Sequence, residues 1–214
     1  MEMWLKEIAE KRFRLLPKNM GDLSRIKGRG MVFDIESFDA EGVGSICLMR
    51  MKGMAGLIRM ISATFTPTKL DGPIFSMDWI HAFGRETLLL ELFDTMISKQ
   101  SFPELEEVKK KHEGLPVYEP KEAWYSDLHL PASAFYKGRG IGGELDQLVQ
   151  EYCEGYFSAL LRCPTCELAE KNRKNSVLPD GLLANGGLAV DQFKKMIGEE
   201  KTAQFMTQFM FCCK

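Results

Sequence analysis

The sequence predicts an α+β protein in which helices pack on one or both faces of a single antiparallel sheet. From about residue 31 to 96, short segments rich in β-forming residues alternate with turn signals. Short connections favour antiparallel neighbours, because a pair of parallel strands needs a long crossover. The second half of the chain carries mainly helical patterns, and strands followed by helices are typical of this fold class.

Composition places the chain among ordinary globular proteins. Its 214 residues suit one domain, which we take to span residues 1–214. Hydrophobic residues make up 45% and charged residues 27%, values that are usual for a soluble protein. The 28 basic and 30 acidic residues give a net charge of −2, so we expect no nucleic-acid partner.

The first element is an amphipathic N-terminal segment. Its apolar residues recur at helical spacing, which predicts a helix over residues 2–16 that ends before Pro17. Five strands with short connections should then form a meander from about 31 to 96. The predicted strands are MVFDIESFD, SICLMRMK, LIRMISATFTP, IFSMDWIHAF and TLLLELFDTM.

Helical patterns dominate the C-terminal half. The segment SFPELEEVKKKHEGLP predicts a charged helix, and AWYSDLHLPASAFYKG predicts an extra strand or a structured loop. A further helix is expected over about 144–161, followed by a partly mobile loop, ELAEKNRKNSVLPDGLLANGG. Two helices over 188–196 and 199–211 should follow and join at Gly198.

The sequence shows no targeting signal. Its first residues are charged throughout, unlike a signal peptide, and no apolar run approaches the roughly 20 residues of a membrane span. We therefore expect a cytoplasmic protein with no membrane partner. In that compartment the six cysteines should be reduced.

The segment GRGIGG, Gly138–Gly143, matches a dinucleotide-binding fingerprint. That fingerprint requires a strand directly before it in a parallel βαβ unit, and an acidic residue about 20 positions later. Here a loop is expected before the glycines, and the later position falls in a predicted helix. A glycine turn that opens the helix is the preferred interpretation.

The segment CPTC has the spacing of redox and metal motifs. It follows a predicted helix rather than a strand, which argues against a thioredoxin-like motif. Cys163 and Cys166 provide two ligands where a structural zinc site needs four. Cys212 and Cys213 complete a thiol-ligated metal or iron–sulfur site only if the C-terminus folds back. Free thiols on a polar loop are the simpler interpretation.

The three histidines show no metal-binding spacing. An odd spacing from Asp78 places His81 on the opposite face of its strand, so a His81–Asp78 dyad is not expected. His112 should be solvated in its charged helix. His129 is expected either at a sheet edge or in a pocket.

Asp78 is the most informative residue, because it is a carboxylate within the apolar, aromatic strand IFSMDWIHAF. Burial of an unpaired carboxylate is costly. Asp78 is therefore an acid at the floor of a pocket, a solvent-facing acid, or one that pairs with Arg50 or Arg59. Alternation along this strand predicts a mixed face of Ile74, Ser76, Asp78 and Ile80 and, opposite it, a core face of Phe75, Met77, Trp79 and His81. On the next strand, Thr87, Leu89 and Glu91 should share one face.

Around this strand the sequence resembles the ferredoxin-dependent bilin reductases. Pro73–Asp78, PIFSMD, is similar to the family's P-φ-F-G-x-D strand, which places an aspartate at its end. GRETLLLELFDT is similar to the family's next hairpin, AWYSDLHL to its tryptophan-then-FSD segment, and MIGEEKTAQFMTQFMF to its C-terminal helices. These matches follow one another in order over residues 74–211.

The resemblance implies a central antiparallel sheet between two helical layers, an α/β/α sandwich shared with red chlorophyll catabolite reductase. It also implies an oxidoreductase that reduces a linear tetrapyrrole, or bilin, without a bound metal or flavin. Ferredoxin would supply single electrons as the external donor. The substrate would lie between the sheet and the C-terminal helices.

The resemblance also implies roles for individual residues. Asp78 is the expected proton donor, since a carboxylic acid at the floor of an apolar pocket can hold a proton near neutral pH. Thr87 matches a hydroxyl position that contacts a substrate propionate in some relatives. Arg50 and Arg59 are our own candidates for propionate partners, because a guanidinium forks onto a carboxylate.

The chain departs from the family pattern in three respects. Some members carry a histidine on the strand before the loop, where this chain has Ile61, and many carry a second acid before the C-terminal helices, where it has Gly187. The strand arginine that follows the family's FSD segment is also missing. Two alternatives therefore stay open. One is a non-catalytic protein that binds a tetrapyrrole or another flat ligand, and the other is a cysteine-ligated metal or iron–sulfur protein.

Overall fold

Eight antiparallel strands form one continuous sheet in the computed structural model, which describes residues 4–213 apart from the side chains of Trp4 and Leu188. The strands are β1 (Leu15–Pro17), β2 (Arg25–Gly28), β3 (Met31–Ala40), β4 (Gly44–Gly53), β5 (Ile58–Pro67), β6 (Ile74–Ala82), β7 (Arg85–Phe93) and β8 (Ala134–Gly138). They lie in the order β1-β3-β4-β5-β6-β7-β8, and β2 also pairs with β3.

The predicted five-stranded meander is confirmed as β3 to β7, in which each strand pairs antiparallel with the next. Tight hairpins join β3 to β4 and β6 to β7, where Gly42 and Gly84 adopt φ angles of 80° and 73° that glycine tolerates without strain. The β5–β6 connection is longer and runs over residues 68–73. Because pairing is continuous, side chains of successive strands form rows across each face.

Five helices lie in the described part of the chain. They are α1 (Trp4–Glu10), α2 (Pro103–Lys111), α3 (Gly142–Leu160), α4 (Leu168–Asn185) and α5 (Leu188–Gln204). A kink at Gly198, with a φ of 81°, divides α5 and confirms the predicted junction. A π-helical segment, Phe205–Met210, continues α5. None of the described helices has the length and apolar character needed to cross a membrane.

Two helical layers enclose the sheet, which confirms the predicted α/β/α sandwich. On one face α1, α2 and α3 pack over a core that contains Phe75, Met77 and Trp79. On the other face α4, α5 and the π-helical segment pack over Ile74 and the apolar residues of β3 and β4. The C-terminal helices therefore cover the face that carries Asp78.

The predicted N-terminal helix over residues 2–16 is too long. Among the described residues α1 ends at Glu10, and Leu15–Pro17 pairs with β3 as an edge strand. Residues 2 and 3 lie outside the described part of the chain. The apolar pattern near position 15 suits a strand as well as a helix, and an edge strand tolerates Pro17 because its missing N–H breaks no ladder bond.

The polar stretch that was predicted to be a loop is α4. Its buried face carries Lys171 and Asn175, which are both 0% exposed, together with Leu178. These residues recur at helical spacing. Hydrophobic periodicity missed the helix because two of the positions on its buried face are polar.

A buried lysine fixes the connection that precedes β6. Lys171 of α4 donates hydrogen bonds to the carbonyl oxygens of Gly72, at 2.6 Å, and Thr95, at 2.8 Å. Its Nζ also lies 3.7 Å from Asp71 Oδ1. We call this arrangement the Lys171–Asp71 clamp, and it joins the segment before β6 to the segment after β7.

Asp71 is the acidic half of the clamp. It is 2% exposed and accepts hydrogen bonds from the backbone N–H groups of Ile97, at 2.7 Å, and Ser98, at 2.8 Å. Burial by itself would raise the pKa of Asp71, but these hydrogen bonds and the Lys171 charge outweigh burial, and the pKa is lowered. Asp71 therefore stays ionised opposite the ammonium group.

Helices α3 and α4 hold the same connection at both of its ends. The Tyr156 hydroxyl donates to the carbonyl oxygen of Pro73 at 2.9 Å. Asn175 Nδ2 donates to the carbonyl oxygen of Pro67 at 2.7 Å. The β5–β6 connection is thus attached to both helical layers.

The CPTC segment binds this connection through its backbone. The Asp71 N–H donates to the carbonyl oxygen of Pro164 at 2.8 Å, and the Cys166 N–H donates to that of Lys69 at 3.2 Å. An isolated β-bridge between Leu70 and Thr165 lies between these bonds. The described contacts of CPTC are therefore structural.

Lys171→Met should destabilise the protein strongly, because it leaves two carbonyl oxygens and the ionised Asp71 without their buried partner. We expect the free energy of unfolding to fall by about 2–4 kcal/mol. Urea denaturation at neutral pH measures this change. The matched substitution Lys195→Met, at an exposed position of α5, should change it by less than about 0.5 kcal/mol. Equal effects of the two variants would contradict the role of the clamp.

Candidate active site

Asp78 lies in the middle of β6, on the face covered by α4 and α5. In the sheet register it stands between Ser62 of β5 and Leu89 of β7. The predicted alternation is confirmed, since Met77 and Trp79 belong to the core on the opposite face. Asp78 is thus an internal strand residue whose two strand neighbours point away from it.

The carboxyl group of Asp78 is set deep in the protein but is not sealed from solvent. The residue keeps partial exposure, whereas Ser62 beside it is 2% exposed. Burial raises the pKa of Asp78 to about 6; a hydrogen bond with the Ser62 hydroxyl opposes the rise, and the negative charge of Glu91 adds to it. Asp78 can therefore carry a proton close to neutral pH.

A second ionisable pair lies on the same face. Glu91 follows Leu89 at the next same-face position of β7, so its side chain is on the Asp78 side of the sheet. His129 Nε2 lies 3.0 Å from Glu91 Oε1, and the two side chains are 15% and 12% exposed. The Tyr125 ring contacts the His129 ring, and burial, together with the charges of Glu91 and Asp78, raises the pKa of Tyr125. Four titratable groups therefore occur together.

Half-buried apolar side chains accompany these groups on this side of the protein. They come from β5, from the segment 124–128 and from the three C-terminal helical segments. An apolar surface that carries a few ionisable groups has the composition of a site for a small organic ligand. These side chains include Met60, Trp124, Leu128, Leu182, Met196 and Phe209.

The sheet register places Thr87 on the Asp78 face, together with Leu89 and Glu91. It pairs with Ile80 of β6 on one side and with Lys137 of β8 on the other. Thr87 and Lys137 are therefore direct cross-strand neighbours at the β7–β8 end of this face. The Lys137 ammonium lies 4.8 Å from the centre of the Tyr118 ring.

Arg50 and Arg59 do not reach this site. Arg50 pairs with Ile61, which in turn pairs with Trp79, and Arg59 pairs with His81. Directly paired residues share a face, so both arginines are on the face opposite Asp78. The expectation that they bind a propionate beside Asp78 is wrong, because the inter-strand register places them on the other side. The alternative that Asp78 pairs with either arginine fails for the same reason.

The position on β5 that faces Asp78 is Ser62. Ile61, where the resemblance placed a family histidine, pairs with Trp79 and faces the other helical layer. A serine hydroxyl does not carry a transferable proton at neutral pH in the way that an imidazole does. Ser62 therefore acts on Asp78 through a hydrogen bond that lowers the pKa of the carboxyl group.

The other two histidines lie elsewhere. His81 is on the opposite face and its Nδ1 lies 2.7 Å from Glu86 Oε1, which confirms that no His81–Asp78 dyad forms. His112 was expected to be solvated, but its side chain is 11% exposed and lies 3.5 Å from Glu151 of α3. It faces α3 because it follows the end of α2, which packs on that helix.

The sheet topology shows whether the GRGIGG segment belongs to a dinucleotide-binding unit. A strand does precede it, contrary to expectation, because β8 ends at Gly138. That strand pairs antiparallel with β7, whereas the dinucleotide fingerprint needs a parallel βαβ unit. The rejection of the dinucleotide interpretation is confirmed.

The candidate thiol ligands do not form a metal site. Cys163 and Cys166 lie beside the β5–β6 connection, whereas Cys212 lies 3.2 Å from the ammonium of Lys18, which follows β1. Among the described residues no group of three or more His, Cys, Asp or Glu side chains is arranged to hold a metal ion. Burial raises the pKa of Cys163 to about 11, so its thiol is protonated at neutral pH.

Sequence patterns identified Asp78 but not the pair beside it. Alternation placed Glu91 on one face with Thr87 and Leu89, and this was the available signal. No local pattern connected Glu91 with His129, because 38 positions separate them and the segment that carries His129 reaches β7 only through folding.

A comparison with solved structures shows which known fold this chain shares. A structure described as phytochromobilin synthase from tomato in complex with biliverdin matches with a TM-score of 0.74, over 100% of this chain and 83% of that chain. The chain has the fold of that synthase. Sequence identity is 15%, and neither a family model nor a curated protein matches the sequence. The predicted resemblance is thus confirmed at the level of the fold.

Asp78→Asn should stabilise the protein at neutral pH. The pKa of Asp78 rises from an ordinary value of 3.8 to about 6 on folding, so the folded state binds more protons in this window and wild-type stability falls as pH rises through it. The asparagine does not titrate. The stability of the variant relative to wild type should therefore increase by roughly 1–3 kcal/mol between pH 3.5 and pH 7.

Urea denaturation at the two pH values measures this difference. Asp22→Asn, at an exposed position, is the control and should show little dependence on pH. If the difference in free energy of unfolding between Asp78→Asn and wild type does not vary with pH, then folding does not shift the pKa of the Asp78 carboxyl group.

Proposed function

We propose that the protein is a cytoplasmic oxidoreductase that reduces a linear tetrapyrrole, with ferredoxin as the external one-electron donor and Asp78 as a proton donor. One observation carries this proposal. A deeply set aspartate with a pKa of about 6 lies on the sheet face beneath the C-terminal helices, in a fold shared with a protein whose structure contains biliverdin.

The chemistry of the site supports the proposal. A linear tetrapyrrole is flat, conjugated and largely apolar, which suits the half-buried apolar side chains of this face. Each electron that enters the conjugated system makes it more basic, so a neutral acid held beside it can then transfer its proton. Burial keeps Asp78 protonated to higher pH than an exposed aspartate.

Thr87 is the proposed contact for a carboxylate group of the substrate. It lies on the Asp78 face, and the neighbouring Lys137 supplies a positive charge at the same end. This pair takes the place of the two arginines that the register excludes. A hydroxyl and an ammonium group can together bind a carboxylate through charge-assisted hydrogen bonds.

A second candidate function is tetrapyrrole binding without catalysis. The observation that favours it is Ser62, a non-ionisable residue opposite Asp78 where a second proton-carrying group could stand. The two functions differ in one respect, which is whether a bound tetrapyrrole is reduced when electrons are supplied.

Biliverdin titration followed by anaerobic reduction distinguishes the two functions. Binding should shift the visible spectrum of biliverdin, and reduced ferredoxin should then convert the bound pigment. Asp78→Asn should bind biliverdin with a Kd within about threefold of wild type but lower kcat by roughly 100-fold, because it holds no transferable proton. Asp22→Asn should behave as wild type.

Each alternative result has a definite meaning. Binding without conversion by the wild-type protein would establish the non-catalytic function. Full activity of Asp78→Asn would remove Asp78 from its role. No spectral change with biliverdin or any other linear tetrapyrrole would overturn both candidate functions.

A further inference from the structure

Reduction of a tetrapyrrole by two electrons takes up two protons, and Asp78 holds one. We propose that Glu91 donates the second proton and that His129 supplies it. This inference rests on the proposed function, and it gives a role to the second ionisable pair of the Asp78 face.

The sheet register places Glu91 beside Asp78. Leu89 pairs directly with Asp78, and Glu91 is the next residue of β7 on the same face. Such diagonal neighbours are about 7–8 Å apart, which long side chains can span. A planar ligand that lies over Asp78 would therefore also cover Glu91.

The Glu91–His129 pair is built to hold a proton. His129 Nε2 lies 3.0 Å from Glu91 Oε1, and both side chains are largely buried. The imidazole is held by rings of Phe93, Tyr125 and Phe135, whose centres lie 5.2, 5.9 and 5.5 Å from its own. A carboxylate stabilises an imidazolium, and the pair can give up one proton and become a neutral imidazole beside a carboxylate.

The charged and titratable neighbours of this pair belong to the same site. Glu91 interacts with the Asp78 carboxyl group across the sheet and with the Tyr125 hydroxyl from the segment that precedes His129. Asp78, Glu91 and Tyr125 are thus close enough to interact through their charges. His129, whose Nε2 lies 3.0 Å from Glu91 Oε1, is the one nitrogen base of this set.

The proposed reaction balances in two stages. The first electron from ferredoxin and the proton of Asp78 convert the tetrapyrrole to a neutral radical and leave Asp78 ionised. With the second electron, the Nε2–H bond of the imidazolium breaks, Glu91 passes the proton to the ligand, and a neutral imidazole remains. Two bonds to hydrogen replace one double bond of the conjugated system, two ferredoxin molecules are oxidised, and solvent reprotonates both donors.

The opposite face of the sheet offers a matched control. His81 and Glu86 form a pair of the same chemistry on strands β6 and β7, with Nδ1 and Oε1 2.7 Å apart. Glu86 also accepts a hydrogen bond from Trp79 Nε1 at 2.8 Å. This pair faces the other helical layer, so it cannot transfer a proton to a ligand beside Asp78.

The test compares His129→Gln and Glu91→Gln with His81→Gln and Glu86→Gln in anaerobic reactions with biliverdin and reduced ferredoxin. The first two variants should bind biliverdin within about threefold of wild type but lower kcat by roughly 100-fold. They should also accumulate the one-electron-reduced radical, which absorption and electron paramagnetic resonance detect. The control variants should stay within about threefold of wild type.

Two features of the design separate proton supply from positioning. Glutamine at 129 can still donate a hydrogen bond to Glu91 but cannot give up a proton, so a purely structural role predicts near-normal turnover. In His129→Ala, added imidazole should restore turnover, whereas thiazole, which has a similar shape but holds no proton at neutral pH, should not. This rescue also decides the matter if the glutamine variant proves unstable.

The outcomes distinguish failure of this inference from failure of the proposed function. Turnover of His129→Gln within about threefold of wild type, or His129→Ala that imidazole does not rescue, overturns the role of the pair while Asp78 and the reductase function stand. Wild-type protein that binds biliverdin without reducing it overturns the reductase function and this inference with it.

Discussion

The buried ammonium group of Lys171 is the interaction on which the rest of the structure depends. It joins the segment before β6 to the segment after β7, and these two strands carry Asp78 and Glu91. A buried charge is stable only when its partners are complete, and here two carbonyl oxygens and Asp71 complete them. With the ends of both strands fixed, β6 cannot slip by one residue, a change that would move Asp78 to the opposite face.

The two faces of the sheet differ in polarity along the central strands. One face is packed with aromatic residues, among them Phe75, whose ring contacts the rings of Tyr152 and Tyr156 from α3. The other carries a polar band across its central strands, which would destabilise an ordinary core. That band contains Ser62, Thr64, Ser76, Asp78 and Glu91. Such a conflict between burial and polarity is expected where a protein binds a ligand or performs a reaction.

Much of the architecture could be predicted because strand patterns and turn signals are local. The meander followed from β-rich segments with short connections, and the side of β6 on which Asp78 lies followed from alternation. Helix α4 could not be predicted in this way, because Lys171 and Asn175 occupy its buried face and their hydrogen-bond partners lie far away in sequence. Arg50 and Arg59 were misplaced because alternation assigns faces within a strand but does not determine how the faces of different strands correspond.

The sequence by itself determined the α+β class, the order of the meander and the side of β6 on which Asp78 lies, since all three depend on spacing over a few residues. Only the tertiary structure decided which groups join Asp78. Ser62 reaches it through strand register, and His129 reaches Glu91 through a segment that packs along β7. The physical reason is that the site is assembled from non-local contacts, whose geometry depends on the packing of the whole sheet between its two helical layers.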